Sequence, residues 1–420
     1  MFHTAQWFLR DGFKPQDAGA KRCFILRKEI YLDNSATTKP SAQAIHAAVE
    51  MMESCWGNPS STHAKGDEAA AVLGEARRRV ASALSSAPQE IFFTSGGTEA
   101  NNIAVFGAAA KNAKVGRRIV TTAIEHSSVM DSVGELERRG FEVVRLQPDR
   151  FGHISPEAVW EAITSDTILV TMMLVNNEVG SILPVEEAVR AARKNAPRAL
   201  VHCDCVQAFG KMPVNVNRLG ADTVTISAHK IHALKGVGAL WKRKGLHLPP
   251  LTFGGHQENS FRPGTEAAPL IAAFGAAAAV AGDRGKMTVR TDQVRMLWEA
   301  ARQMLLKIDG IGINSPEDGS PYILNFSTCC VKAETMLNYL SNRGIYVSGG
   351  SACAKGEPSH VIKALNLSHD AADSAIRVSF CADNTSEEVR LLADAVAEGI
   401  KTLAHFQSSM PKKRENAEKI

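Results

Sequence analysis

Two short apolar runs in this chain each end on a reactive or charged side chain, and few folds accommodate that pair. Leu200-Val201-His202-Cys203-Asp204 has the length and branching of a buried strand and closes on a carboxylate; Ala221 to Ser227 repeats the pattern and leads into Ser227-Ala228-His229-Lys230. About 26 residues separate Asp204 from Lys230, enough for one connection between neighbouring strands of an α/β sheet. Ligands of such sheets gather at the carboxyl ends of the strands. Taken singly, a lysine after a strand is ordinarily a surface lysine, and a strand-end aspartate is a turn former or helix cap. Together, with Gln207, Ser227 and His229 beside them, they offer what pyridoxal phosphate asks of a protein: an amine for its aldehyde and a carboxylate for its pyridine nitrogen.

A separate stretch offers a place for the phosphate. Glu90 to Phe93 reads as a strand, Thr94-Ser95-Gly96-Gly97-Thr98 as a tight turn, and Glu99 to Lys111 as an alanine-rich helix. That order aims backbone N–H groups and the positive end of a helix dipole at an anion, and glycine lets the backbone come close. It is neither a nucleotide P-loop nor a GxGxxG turn. Thr98 read alone is a helix cap; the downstream lysine and aspartate favour a phosphate.

Far along the chain, Val347-Ser348-Gly349-Gly350-Ser351-Ala352-Cys353-Ala354-Lys355-Gly356 surrounds one thiol with small residues. Such a composition suits a mobile surface loop. Unpaired cysteines are usually buried, so reactivity is a reason for one here, with Lys355 placed to favour the thiolate. From the residues alone, nucleophile and accident both stay open.

These pieces join into a resemblance. The chain resembles the cysteine desulfurases, the sulfur-mobilising branch of the fold-type I pyridoxal phosphate enzymes. Tyr31-Leu32-Asp33-Asn34-Ser35-Ala36-Thr37-Thr38 and Gly57-Asn58-Pro59-Ser60-Ser61-Thr62-His63 are similar to the family's first two signatures. Glu125-His126, Val175-Asn176-Asn177-Glu178-Val179-Gly180, Asp204 with Gln207, Ser227-Ala228-His229-Lys230, Arg262-Pro263-Gly264-Thr265 and Ser351-Ala352-Cys353 follow in the family's order, from about Ile30 to about Leu403.

The resemblance implies an aspartate aminotransferase-like α/β fold, a large mostly parallel seven-stranded sheet with a smaller α+β domain. It implies that Lys230 carries the cofactor and shuttles a proton, that His126 stacks on its ring, and that Asp204 pairs with the pyridinium. Gln207 and Asn177 would face the phenolic oxygen, and Gly97, Thr98, Ser227 and His229 the phosphate. Thr265 would reach the phosphate of a second subunit, which implies a homodimer. Asn34 and Arg377 would bind the carboxylate of L-cysteine, for which an arginine fork is well shaped. Cys353 would take the sulfur as a persulfide and deliver it to an iron–sulfur scaffold or a tRNA-thiolation enzyme. The loop after Cys353 is shorter than in long-loop relatives, and only the charged tail Met410 to Ile420 follows the last helix. The first bears on the reach of the thiol; the second weakens the scaffold reading and leaves a tRNA-thiolation acceptor open beside it. The alternatives are a selenocysteine lyase or another sulfur amino acid lyase, an aminotransferase, and a non-catalytic partner that retains the fold.

Helical stretches (Ser41 to Glu53, Gly66 to Leu84) alternate with strands (Arg118 to Thr122, Thr167 to Met172), as a helix-covered parallel sheet requires. At 420 residues the chain exceeds one ordinary core. The expected division is a large domain over 41–285 and a small domain of 30–40 with 286–420, opening on a helix from Thr288 to Ile308. A helix is expected from Ser386 to His405, and Ala272 to Ala281 reads as a close-packed helix. Residues 1–29 lie outside the resemblance and lack a signal peptide's apolar stretch. A net charge of +4 is too mild to argue for nucleic acid, no run is long enough to span a membrane, and a cytoplasmic enzyme is expected. The eight cysteines lack disulfide or zinc spacing; Cys203, Cys205, Cys329 and Cys330 read as buried small residues, and no metal is expected.

Overall fold

The computed structural model describes residues 29–349 and 358–409, of which 405–409 are described by backbone alone. Strand β1 (Ile30–Tyr31) precedes the seven strands of the main sheet: β2 (Ile91–Thr94), β3 (Arg118–Thr122), β4 (Glu142–Leu146), β5 (Thr167–Met173), β6 (Leu200–Asp204), β7 (Thr223–Ser227) and β8 (Gly238–Lys242). Their spatial order is β2-β8-β7-β6-β5-β3-β4. Parallel pairing links β7, β6, β5, β3 and β4, while β8 runs antiparallel to both β7 and β2. The mostly parallel seven-stranded sheet is therefore present. Strands β5, β6 and β7 are buried along their whole length, which is why they read as near-continuous apolar runs.

The alanine-rich segment forms the helix Ala268–Ala281 and lies against the helix Ala64–Ala83. A Cβ at Gly275 would fall 2.5 Å from Ala76 Cα, so the small side chains there permit backbone contact that larger ones would prevent. Four further strands, β9 (Gly312–Ile313), β10 (Ile323–Ser327), β11 (Ile345–Tyr346) and β12 (Ala375–Ser379), follow. β10 pairs antiparallel with β12 and β9, and β1 pairs parallel with β11. A second core gathers Ile30, Leu32, Trp298, Phe326, Ile376, Phe380 and Val396, and the Trp298 indole donates to the Ile323 carbonyl at 2.9 Å.

Some boundaries differ from expectation. The helix expected from Thr288 starts at Arg284, because the Asp283 side chain accepts the Lys286 N–H as its cap. The last helix runs on to Ser409. Cys203 and Cys205 are buried, but Cys329 and Cys330 are exposed. The second pair sits where the chain turns away from the end of β10, with Cys329 at φ 56° and the Thr328 hydroxyl donating to the Val331 carbonyl at 2.7 Å. Among the described residues no helix is long and apolar enough to cross a membrane, and no group of three or more potential metal ligands is found.

Candidate functional site

The carboxyl ends of the parallel strands border a cavity of about 370 Å³. It is lined by Gly97, Thr98, His126, Asn177, Asp204, Gln207, Ser227, His229, Lys230 and Arg377, with Ser35, Asn101, Ser128 and Ser348 among the others. Sequence reasoning named the first ten and missed the last four. Thr265 is exposed and does not line it. Asn34 borders a neighbouring cavity of about 440 Å³, and Lys230 lies on the wall common to both. Cys353 and Lys355 lie outside the described residues.

The floor of the cavity is the turn after β2. The helix there spans Gly97–Asn112, starting earlier than expected; its cap is Gly96, which makes no side-chain bond. Thr98 is thus inside the first turn and does not cap it. A Cβ on Gly97 would lie 3.1 Å from Val206 Cγ2, so glycine keeps the cradle open. On β8, a Cβ at Gly238 would meet Gly96 Cα at 2.8 Å, which explains the glycine that lets the turn come down onto the sheet. The first-turn N–H groups have no intrahelical partners and suit an anion.

Lys230 closes the short 3-10 turn Ala228–Lys230 directly after β7. Its Nζ donates to the carbonyls of Ser35 at 2.5 Å and Ala36 at 2.9 Å. Burial, with the Arg377 guanidinium nearby, lowers its pKa to about 8, so an appreciable fraction is the neutral amine that nucleophilic or proton-transfer chemistry needs. Burial and the Lys230 charge push His229 down to about 4; its Nδ1 lies 3.2 Å from Thr37 Oγ1. Gln207 is held at both ends, donating to Ser35 O at 3.0 Å and accepting from Lys211 Nζ at 2.8 Å.

Asp204 ends β6, buried, with Oδ1 accepting the Val206 N–H at 2.9 Å and Oδ2 accepting from Asn101 Nδ2 at 2.7 Å. His126 caps the helix Ser127–Arg138 with Nδ1, which accepts the Ser128 N–H at 3.1 Å, leaving its ring on the cavity. Its neighbour Glu125 is fully buried, and burial raises its carboxyl to about 8 against the pull of the Met173 N–H and Thr122 hydroxyl. No periodicity in the sequence announces a protonated glutamate; only the completed sheet removes its water.

From the other side comes Arg377 on β12. Nη1 donates to the Asn177 carbonyl at 2.9 Å and Nη2 to Asp33 Oδ1 at 2.8 Å, while the buried Nε has no partner among the described residues. Asn34 is turned away from it, donating to Ser379 O at 2.9 Å. Both ends of the segment carrying Cys353 are tied to this region. Ser348 pairs with Arg377 through two backbone bonds; Ser359 Oγ donates to buried Glu178 at 2.6 Å, and His360 Nε2 donates to the Glu125 carbonyl at 2.8 Å.

Known proteins support the same picture. The family model described as Aminotransferase class-V matches residues 30–392. A protein of Methanosarcina thermophila named cysteine desulfurase IscS is 37% identical over 92% of this chain and 95% of its own length. One of Bacillus subtilis, named putative cysteine desulfurase IscS 1, is 37% identical over 90% of this chain and all of its own. A solved structure titled NIFS-like protein superposes with a TM-score of 0.84 at 35% identity, covering 89% of this chain and 100% of that one. Another, titled SspA in complex with cysteine, gives 0.74 at 30% identity over 85% and 100%.

Proposed function

This chain belongs to the aminotransferase class-V family, and from that premise we propose that it is a pyridoxal 5′-phosphate-dependent cysteine desulfurase that converts L-cysteine to L-alanine. The observation that carries the reading is the meeting of Lys230, Asp204 and the open first turn at Gly97 on one cavity. The donor set fits the cofactor: an amine with a lowered pKa, a buried carboxylate, and a cradle that a Cβ would fill. Two buried oxygens on residues lining that cavity, Asn177 Oδ1 and Ser35 Oγ, have no partner among the described residues.

When bound, pyridoxal phosphate supplies an aldehyde that links to an amine and a ring that withdraws electrons from the substrate's Cα. Lys230 would bind it and, as a free amine, would move the substrate's α-proton. Asp204 would hold the proton on the ring nitrogen, His126 would cover the ring face, and Asn177 and Gln207 would face the phenolic oxygen. Gly97, Thr98, Ser227 and His229 would hold the phosphate. Arg377 orients the substrate carboxylate, and its Nε, unpartnered among the described residues, is the site's spare donor; Asn34, which borders the neighbouring cavity and donates to Ser379 O and Asn384 Oδ1, takes no part in it. The Cys353 thiolate attacks the substrate sulfur, an S–S bond forms as the Cβ–S bond breaks, and the carbon skeleton keeps that electron pair and takes up a proton to leave as alanine. The persulfide then passes to an acceptor protein, an iron–sulfur scaffold or a tRNA-thiolation enzyme, in the cytoplasm. In this reading residues 41–285 form the cofactor domain, 30–40 with 286–420 carry the thiol loop, and Thr265 serves the partner's site in a homodimer.

The test is alanine production from L-cysteine with a thiol reductant, wild type beside Cys353→Ala. Loss of persulfide and alanine in the variant, with cofactor absorbance retained, is expected. Undiminished turnover in Cys353→Ala would overturn the sulfur route, and turnover of selenocysteine alone would replace the substrate.

A further inference from the structure

Asp204 and His126, the two residues assigned above to the cofactor ring, are both tied to one side chain. Asn101 Nδ2 donates to Asp204 Oδ2 at 2.7 Å and to Ser128 Oγ at 2.8 Å, and Ser128 Oγ lies 2.8 Å from His126 Nδ1. Both amide protons are thereby used. The sense of the amide is decided on its other side: Asn101 Oδ1 lies 3.0 Å from His202 Nε2, and His202 Nδ1 lies 2.9 Å from Thr223 Oγ1. Asn101, His202 and Thr223 are all at most 3% exposed.

Burial lowers the His202 pKa to about 4, so its ring has one donor and one acceptor. If Nε2 were the acceptor, the Asn101 amide would turn over and set its oxygen against the Asp204 carboxylate. The consistent arrangement has the Thr223 hydroxyl donating to Nδ1, Nε2–H donating to Asn101 Oδ1, and the Asn101 amino group donating to Asp204 and Ser128. Three strand residues, Thr223 and His202 on neighbouring β7 and β6 and Asp204 two positions further along β6, hold this chain in register.

We propose that Asn101 is a positioning residue for the cofactor ring, fixing the Asp204 carboxylate and, through Ser128, the His126 imidazole, with His202 setting the sense of its amide. This rests on the reading of Asp204 and His126 as the ring's partners. The readout is the pH midpoint of the bound cofactor's visible absorbance in the full-chain holoenzyme, together with cofactor affinity. Asn101→Ala is expected to move the midpoint by about one pH unit or more and to weaken cofactor binding about tenfold, the scale of one hydrogen bond to a charged group. Asn101→Asp, equal in size but without the donor, moves both further.

His202→Phe is expected to act in the same direction by less, and His202→Gln, whose amide nitrogen replaces the lost donor, returns both values close to wild type. A merely structural role would lower thermal stability without moving the midpoint or separating Gln from Phe. Asn101→Ala with wild-type midpoint and affinity overturns the proposal, as does His202→Gln displaced as far as His202→Phe; should Asn101→Ala not fold, the His202 pair decides. An Asp204→Ala variant with an unchanged midpoint would overturn the underlying reading of the ring's partners, and the proposal with it.

Discussion

Asp204 and Arg377 face one cavity from different sheets, and their surroundings differ in kind. Asp204 ends a parallel strand of the large sheet, and its oxygens accept from a backbone N–H and a neutral amide. Arg377 sits inside an antiparallel strand of the small sheet, paired with the Asp33 carboxylate and a backbone carbonyl. Neutral donors orient Asp204 without neutralising it, so its charge remains for a ligand. The ion pair orients Arg377 by spending part of its charge, so a substrate carboxylate must share the guanidinium with Asp33. Pre-orientation and competition act there together.

Lys230→Ala tests what the two sides have in common, since either side is useless without the amine between them. Alanine production should fall by about 10⁴-fold and the bound cofactor's absorbance should disappear; retained absorbance would break the comparison at its root. Next comes the contrast itself. Asp204→Asn should lower kcat by about a hundredfold with little change in KM, whereas Arg377→Lys should raise KM for cysteine about tenfold or more and lower kcat less. The same kinetic pattern in both variants would show that the two shells do not differ in function.

A third prediction concerns the large-sheet side alone. Glu125 has a folded pKa near 8, above its unfolded 4.5, so the folded state binds the extra proton between those values. Its contribution to stability is complete below about pH 4.5 and lost as pH rises through about 8. In urea unfolding, Glu125→Gln should flatten that decline, a difference on the order of a few kcal/mol; parallel curves would show the carboxyl is not protonated. Asp33→Asn should then cost about 2 kcal/mol of stability while lowering KM for cysteine, because the competing charge is gone. A raised KM would mean that orientation outweighs competition. The smallest effect belongs to the exposed turn: Cys329→Ser with Cys330→Ser should change stability by less than about 0.5 kcal/mol and leave turnover as it is.

Much of the site could be read along the chain, and the reason is local. Asp204 and Lys230 stand at the ends of runs whose apolar composition marks buried strands, and Gly97 follows β2 directly, so strand, turn and helix declare the ligand end of the sheet together. The helix opens at Gly97 rather than at the expected Glu99, because a glycine cap carries no side-chain signal. Cys329 and Cys330 are exposed rather than buried, and a free cysteine has no local pattern that separates core from turn. Glu178 lies in the Val175–Gly180 motif, but its bond with Ser359 joins positions 181 apart, and no spacing rule reaches so far.

By itself, then, the sequence determined the parallel sheet, the order of its elements and the residues at the strand ends, because these depend on propensity and periodicity within a few positions. Only the tertiary structure decided that Arg377 meets Asp33, that Asn101 joins Asp204 to His202, and that Glu125 holds its proton. Hydrogen-bond partners and desolvation are set by which surfaces close over one another, and that closure is a property of the packed sheets.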